Sequence, residues 1–323
     1  MSETAGEKKR EFKWMTVLWY IHLNVLALYG AFILLTQAKW LTVFFTFFII
    51  FLSNMGMTLG AHRLWAHRSY EAQGHVRLLL MLAQTLTGVG PIYDWVLAHR
   101  IHHTYYRTAK DPYNHDKGFV YSHVFSNLMN LHPDHEEIVQ SIDMRDVELD
   151  GWVWFQRRFY WPLFIVVGLL LPINAPAEYW DESLLNTVFA LGFFRLAVTA
   201  NLAWLINSGV LIWGLKPGDK YPADDNSVFF ITKSHWPNYH YLITWDYKTG
   251  EYGSYDSGCM AFVLNIFSNL GSISLLKTAS NDAIRDALYR VATTKSVTVD
   301  EALEDVKKIA EKEAVNVKLS YLH

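Results

Sequence analysis

Lys, Arg, Asp and Glu are absent from two long apolar stretches near the start of the chain, Thr16 to Thr36 and Trp40 to Leu59. A helix needs about 20 apolar residues to cross the hydrocarbon of a bilayer, and both stretches meet that length. Only Gln37 to Lys39 separate them, which predicts a tight helical hairpin. A second pair lies at Phe159 to Ile173 and Leu184 to Leu205, joined by Asn174-Ala-Pro-Ala-Glu-Tyr-Trp-Asp. The fourth of these spans contains Arg195, whose charge calls for a buried partner or a functional cavity, with a structural contact between helices as the equal alternative. Val76 to Tyr93 is also apolar but is interrupted by Gly88, Gly90 and Pro91. It is expected to be a membrane-surface or buried helix rather than a fifth span. Asp282 to Ala314 has the pattern of an amphipathic helix. The expected fold class is an all-α membrane protein: four transmembrane helices in two hairpins, with a helical cap over 60–158 and 206–323 in a single domain of 1–323.

Composition agrees with a bilayer environment: 51% of residues are hydrophobic, 15% are aromatic and 13 are Trp, more than one soluble core needs. Trp14, Trp19, Trp40, Phe44 and Phe45 are expected at the interface or facing lipid. The basic flank Lys8, Lys9, Arg10 and Lys13 places the N-terminus in the cytosol, and four crossings return the C-terminus there. His62 and the residues just after it are then cytosolic. The polar start shows no removable signal peptide. With one cysteine, Cys259, no intramolecular disulfide or Cys-rich metal site is available. A net charge of −3, with bases scattered among acids, argues against nucleic acid as a partner.

Two groups of the 14 histidines stand beside the apolar stretches. Gly-Ala-His62-Arg-Leu-Trp-Ala-His67 leaves the second span, and His99-Arg-Ile-His102-His103 comes after Tyr93-Asp-Trp-Val. Positions i, i+3 and i+4 share a helix face, so His99, His102 and His103 can converge on one point. Neutral imidazole suits iron, zinc or copper. A chance, surface or pH-sensing cluster is the alternative, and metal binding is the favoured reading.

With these motifs in view, the chain resembles the membrane acyl-CoA desaturases of the animal type, the stearoyl-CoA desaturase group. Both histidine boxes match, and so do Asp111-Pro-Tyr-Asn, Gly118-Phe-Val-Tyr-Ser-His-Val, Leu131-His-Pro-Asp, Phe155-Gln-Arg-Arg-Phe-Tyr, Asn201 to Trp204, Asn207-Ser, Trp213-Gly and Trp245-Asp-Tyr-Lys-Thr-Gly-Glu-Tyr. The resemblance implies an endoplasmic reticulum enzyme with a cytosolic cap in which histidines hold two irons. It also implies O2 as oxidant, electrons from NADH through cytochrome b5 and its reductase, and a double bond in a saturated fatty acyl-CoA, often at Δ9. By resemblance the iron ligands are His62, His67, His99, His102, His103 and His240. Met57, Leu59 and Trp204 are candidates for the acyl tunnel.

The resemblance departs from the family at the third box, where Pro237-Asn-Tyr-His-Tyr241 stands for His-Asn-Tyr-His-His, and at Leu211, four residues after Asn207. Six of nine histidine positions are retained. Tyr241 as a phenolate, His235 from upstream and Asn207 through a water are conceivable substitutes, with His235 more readily read as a surface residue. Ala98 replaces the Asp that usually precedes the second box, Val89-Gly90-Pro91 replaces a polar Gln-Asn-Asp, and Thr232-Lys233-Ser234 replaces Gly-Glu-Gly. His115, His123, His132 and His135 fall outside the family's ligand positions and are expected to be solvated or structural. The expectation is therefore a desaturase with an altered metal site. A catalytically impaired descendant that binds acyl-CoA or a partner is the alternative, and a membrane scaffold with incidental histidines is the weakest reading.

Overall fold

A computed structural model describes residues 10–130, 132, 134–212, 236–251, 255, 258–294 and 296–320, and of these leaves the side chains of 236–238 and 314–320 undescribed. Lys8, Lys9, Leu131, Trp213, Thr232 to Ser234 and His235 lie outside the described residues. The protein is an all-α membrane protein. Among the described residues, four helices are long and apolar enough to cross a bilayer: α1 (Trp14–Thr36), α2 (Trp40–Ala66), and two further on, Tyr160–Trp180 and Leu184–Ile212. In chain order α3 (Gly74–Thr85), α4 (Ile92–Thr104) and α5 (Gly151–Arg158) precede α6 (Tyr160–Trp180) and α7 (Leu184–Ile212). After them come α8 (Trp236–Leu242), α9 (Cys259–Asn269), α10 (Asn281–Thr293) and α11 (Val299–Ser320).

Several boundaries differ from the sequence expectation. The second span continues through His62 to Ala66, because its last part, Gly56–Ala66, is wound as a π-helix that keeps its backbone hydrogen bonds closed. The third runs on to Trp180, so Asn174 to Trp180 is helix rather than a connecting loop. Pro176 within it lacks only one N–H. The turn at Gly88, Gly90 and Pro91 separates α3 from α4, with Gly88 and Gly90 both at positive φ. The expected C-terminal helix is two, α10 and α11, because Thr298 starts a new one: its hydroxyl accepts from Glu301 N, while Glu301 accepts from Thr298 N, a capping box.

By contacts the chain forms two compact units, residues 1–61 with 77–208, and 62–76 with 209–323. In the first, α1 packs on α7 at Gly30, where an added Cβ would lie 2.3 Å from the Phe189 carbonyl oxygen. Gly56 serves α2 and α3 in the same way, with the Gln84 backbone nitrogen 2.2 Å from that position. Arg195 is fully buried and is held by the backbone carbonyls of Leu191, Leu86 and Gly168. The structural alternative for this charge is therefore the one observed. Trp14, Trp19, Trp40 and Phe44 are exposed, whereas Phe45 packs edge-on against Trp180. The loop ends of the unit are tied by Glu182, which accepts from Lys39 N at 2.8 Å, Thr42 Oγ1 at 2.6 Å and Asn186 Nδ2 at 2.9 Å.

The second unit has its own core, in which Tyr239, Ile243 and Tyr255 pack with Ile284, Leu288 and Leu303 of α10 and α11. Asp246 lies within it and accepts from both tyrosine hydroxyls, at 2.5 Å and 3.0 Å. Burial raises its carboxyl above the usual range. A short antiparallel pair, β1 (Glu71–Ala72) with β2 (Ile273–Ser274), completes the unit.

Candidate metal centre

In an α-helix five residues turn about 500°, which leaves two side chains at that spacing about 140° apart. His62 and His67 have this spacing, yet their rings are neighbours, with centroids 4.6 Å apart. The π winding resolves the conflict. His67 N donates to the carbonyl of His62, five residues back, at 3.0 Å, so one turn closes between the two histidines. Their Nε2 atoms converge to 3.0 Å.

His240 completes this group in the second unit. Its neighbour Tyr239 is fully buried and bonded to Asp246, and that anchor fixes α8. The His240 ring lies 5.6 Å from that of His62 and 5.3 Å from that of His67, and one nitrogen from each of the three falls within 4.8 Å of the others. Glu251 supports the group from behind, 3.1 Å from His62 Nδ1 and 2.9 Å from Arg63 Nε. Burial alone would raise the Glu251 carboxyl, but Arg63 and His62 overcome it and hold the group below the usual carboxylate range. A carboxylate only accepts, so His62 carries its proton on Nδ1 and turns an unprotonated Nε2 towards His67. Two imidazole nitrogens 3.0 Å apart match neighbouring ligands of one ion at a metal–nitrogen distance of about 2.1 Å. The donor set fits a first-row divalent metal.

The second group belongs to the first unit and is a simpler product of the α-helix. On α4 the His99 and His103 rings lie 4.6 Å apart and those of His102 and His103 5.6 Å apart. Trp95 stacks on His99 at 4.9 Å. His99 Nδ1 donates to Asn207 Oδ1 at 2.6 Å, and His102 Nδ1 to Asp111 Oδ1 at 2.8 Å. Such outer acceptors orient ligand histidines and select the tautomer. Asp111 is itself fixed by Tyr113 N at 2.9 Å. His115 is buried beside this group, and burial together with nearby His102 lowers its pKa to about 4.

Curated relatives cover nearly the whole chain. An acyl-CoA Delta-9 desaturase of Acheta domesticus is 39% identical over 285 residues, 87% of this chain and 79% of its own length. An acyl-CoA Delta-12 desaturase of Tribolium castaneum is 35% identical over 296 residues, 90% of this chain and 83% of its own length. The stearoyl-CoA desaturase of Homo sapiens is 34% identical over 285 residues, with 87% and 79% covered. This chain belongs to the membrane acyl-CoA desaturase family. No family model matches it.

Against the desaturase family's pattern, the structure locates each departure differently. Leu211 is a half-buried residue of α7 and offers only carbon. Tyr241 is half-buried, with its ring 5.5 Å from His240. Pro237 falls within α8, with its side chain outside the description, and His235 lies outside the described residues. Asn207 meets His99 directly, its Oδ1 being the acceptor of that ring's N–H. Met57, Leu59 and Trp204 are buried. Ala98 joins Leu97, Ile101 and Pro112 in the wall of a cavity of about 160 Å³ that Arg10 and Lys110 also line.

Three residues that support the histidines, Glu251, Asp111 and Arg63, escaped the sequence reading as site residues. Glu251 and Asp111 stand inside motifs quoted for the resemblance, and an acid inside such a motif was the available signal. Of the histidines expected to be solvated or structural, His115 and His123 are both buried. His123 bonds Ser208 Oγ at 2.9 Å and Asn201 Oδ1 at 3.2 Å, which is a structural contact to α7.

Proposed function

We propose that this protein is an iron-dependent acyl-CoA desaturase with a modified metal centre, which introduces a mid-chain double bond, often at Δ9 in the family, into a saturated fatty acyl-CoA. The observation that carries the reading is the convergence of His62, His67 and His240, one nitrogen of each within 4.8 Å, at family box positions. His62, His67, His99, His102, His103 and His240 would hold the iron, two ions by family resemblance. When bound, iron supplies the activation of O2 and the oxidising power that removal of hydrogen from an unactivated methylene requires.

The chain's own residues supply orientation and a dry environment. Glu251, Asn207 and Asp111 set the tautomers of His62, His99 and His102. Their acceptors leave the opposite ring nitrogens unprotonated for the metal. Met57, Leu59 and Trp204 line the acyl path in this reading, and their burial supports it by keeping water from the chain. The overall reaction consumes O2, two electrons and two protons, and releases two waters with the alkene. Cytochrome b5 and its NADH-dependent reductase supply the electrons. The enzyme resides in the endoplasmic reticulum membrane with both termini cytosolic.

A second reading, a catalytically impaired descendant that binds acyl-CoA or a partner, is favoured by one observation: Leu211 offers only carbon where the family resemblance expected a ligand. One experiment separates the two. Protein purified from membranes is assayed for iron per chain and for unsaturated product from saturated acyl-CoAs with O2, NADH, cytochrome b5 and reductase. Bound iron and product formation, both lost in His102→Ala, support the enzyme. An iron-free parent that makes no product supports the descendant.

A further inference from the structure

The helix that leads into the third span turns an aromatic face outward. α5 (Gly151–Arg158) starts at Asp150, whose side chain accepts from Trp152 N at 3.0 Å and Val153 N at 3.2 Å and pairs with Arg77. Gln156 is fully buried: its Oε1 accepts from Ile92 N at 2.8 Å, and its Nε2 donates to Gln84 Oε1 at 2.6 Å and Thr85 Oγ1 at 2.8 Å. At the first residue of α6 the Tyr160 hydroxyl accepts from Gly90 N at 2.8 Å. These bonds fix the rotation of the helix. Val153, Gln156 and Tyr160 point inward at the i, i+3, i+7 spacing of one helix face, and Trp154, Phe155, Arg158, Phe159 and Trp161 are left exposed.

This outward stripe is aromatic apart from one cation. Trp154 is 60% exposed and Trp161 69% exposed, and the Phe155 and Phe159 rings lie 5.1 Å apart. Arg158 stands among them, and no described residue engages it in a hydrogen bond, an ion pair or a ring contact. Its neighbour Arg157 provides an internal contrast: that guanidinium lies 3.6 Å from the centroid of the Tyr93 ring and 4.0 Å from Asp94. Chain continuity decides what covers the stripe. Only Phe159 separates α5 from the membrane-spanning α6, so the stripe stands at the edge of the hydrocarbon. Tryptophan settles there at headgroup level. An arginine at that depth meets phosphate with a planar fork of N–H donors.

We propose that Arg158, within the stripe of Trp154, Phe155, Phe159 and Trp161, binds the phosphate of an anionic phospholipid headgroup, and that α5 thereby lies on the bilayer surface ahead of α6. The guanidinium takes the phosphate, and the rings bed in the glycerol and upper acyl region beside it. α1 and α2 cross the membrane once each, which puts α5 on the side where the chain begins. In the topology proposed above that side is cytosolic, and the cytosolic leaflet is the anionic one. The site needs neither iron nor turnover, so it stands or falls apart from the proposed activity.

The test uses full-length protein in detergent, with Arg158→Gln, Arg158→Lys and Arg157→Gln beside the parent. Each is titrated with phosphatidylglycerol and with phosphatidylcholine of the same acyl chains, and the affinity of the first bound lipid is read by native mass spectrometry. The parent is expected to prefer phosphatidylglycerol. Arg158→Gln should bind that lipid about fivefold more weakly, the effect of one interfacial charge, with Arg158→Lys regaining part of the loss and Arg157→Gln keeping the parent's preference. Phosphatidylcholine should bind all four alike. A parent without the preference, or an Arg158→Gln protein that retains it, would overturn the inference. Equal losses in Arg157→Gln and Arg158→Gln would also overturn it, leaving a general attraction between basic surface and anionic lipid. Displacement of the lipid by inorganic phosphate would assign the site to a soluble anion instead. Arg158 has no partner among the described residues, so Arg158→Gln is expected to melt with the parent and to decide the matter.

Discussion

Glu251 Oε1 lies 3.1 Å from His62 Nδ1, and the same carboxylate pairs with Arg63, the next residue along α2. One buried acid thus serves a histidine as acceptor and an arginine as counter-ion. Glu251→Gln keeps an oxygen near His62 but loses the charge, and metal affinity is expected to fall by roughly 10- to 100-fold by chelator competition. Both Glu251→Gln and Glu251→Ala leave the buried Arg63 charge without its counter-ion, at a cost of about 3–5 kcal/mol, visible as a lower thermal midpoint, and Glu251→Ala also removes the oxygen that accepts from His62. Unchanged affinity in Glu251→Gln would remove Glu251 from the centre.

Glu182 links loop ends far apart in sequence through four acceptor contacts, to Lys39 N, Thr42, Ser183 N and Asn186. Burial would raise its carboxyl, but these bonds together hold it below the ordinary value. A depressed carboxyl stabilises the folded state fully above its unfolded pKa of about 4.3, and that contribution is lost as pH falls through the folded value. Thermal melts of the parent from pH 7 to pH 3 should therefore decline more steeply than those of Glu182→Gln. Parallel profiles would contradict the assignment.

Asp246 is the acceptor for two buried tyrosine hydroxyls, those of Tyr239 and Tyr255. Asp246→Ala leaves both without their acceptor, each at about 1–3 kcal/mol, and frees the segment that carries His240. Limited proteolysis should cut the second unit faster in this variant. Tyr255→Phe, which loses one bond, should show a smaller increase, and equal rates in the two would argue against a shared anchor.

Restoring histidine tests the departures from the family directly. Leu211→His with Pro237→His should raise metal per chain and tighten retention against chelator, whereas His102→Ala should lower both. If the double variant binds no more metal than the parent, the lost positions have been compensated elsewhere in the chain.

The four apolar spans were legible because charge-free runs of that length have few other uses, and the expected hairpins come from short polar breaks. The extensions of α2 and α6 were not. Asn174 to Trp180 reads as a loop because it carries a proline and a charge directly after Pro172, whereas in the structure it is helix with Pro176 buried and Glu178 exposed. The splitting of the C-terminal helix was legible in principle from Thr298 and Glu301, a capping pair inside an amphipathic pattern. At the site, i, i+3, i+4 spacing exposed the His99 group, whereas the His62 and His67 pair stood out by its place at the end of an apolar span and by resemblance, since α-helical periodicity sets the two on different faces. Glu251 and the buried place of His115 depended on contacts 189 and 92 residues away in sequence, which no local pattern reports.

The wide winding at the end of α2 carries a thermodynamic consequence. Any ion that bridges His62 and His67 binds the segment only in its π register, because tightening to the α register swings the two rings about 140° apart. Occupancy and winding are then one linked equilibrium: an ion bound there favours the π register, and its removal lets Gly56–Ala66 sample the tighter helix. Amide exchange rates across those eleven residues would register that change directly in the backbone.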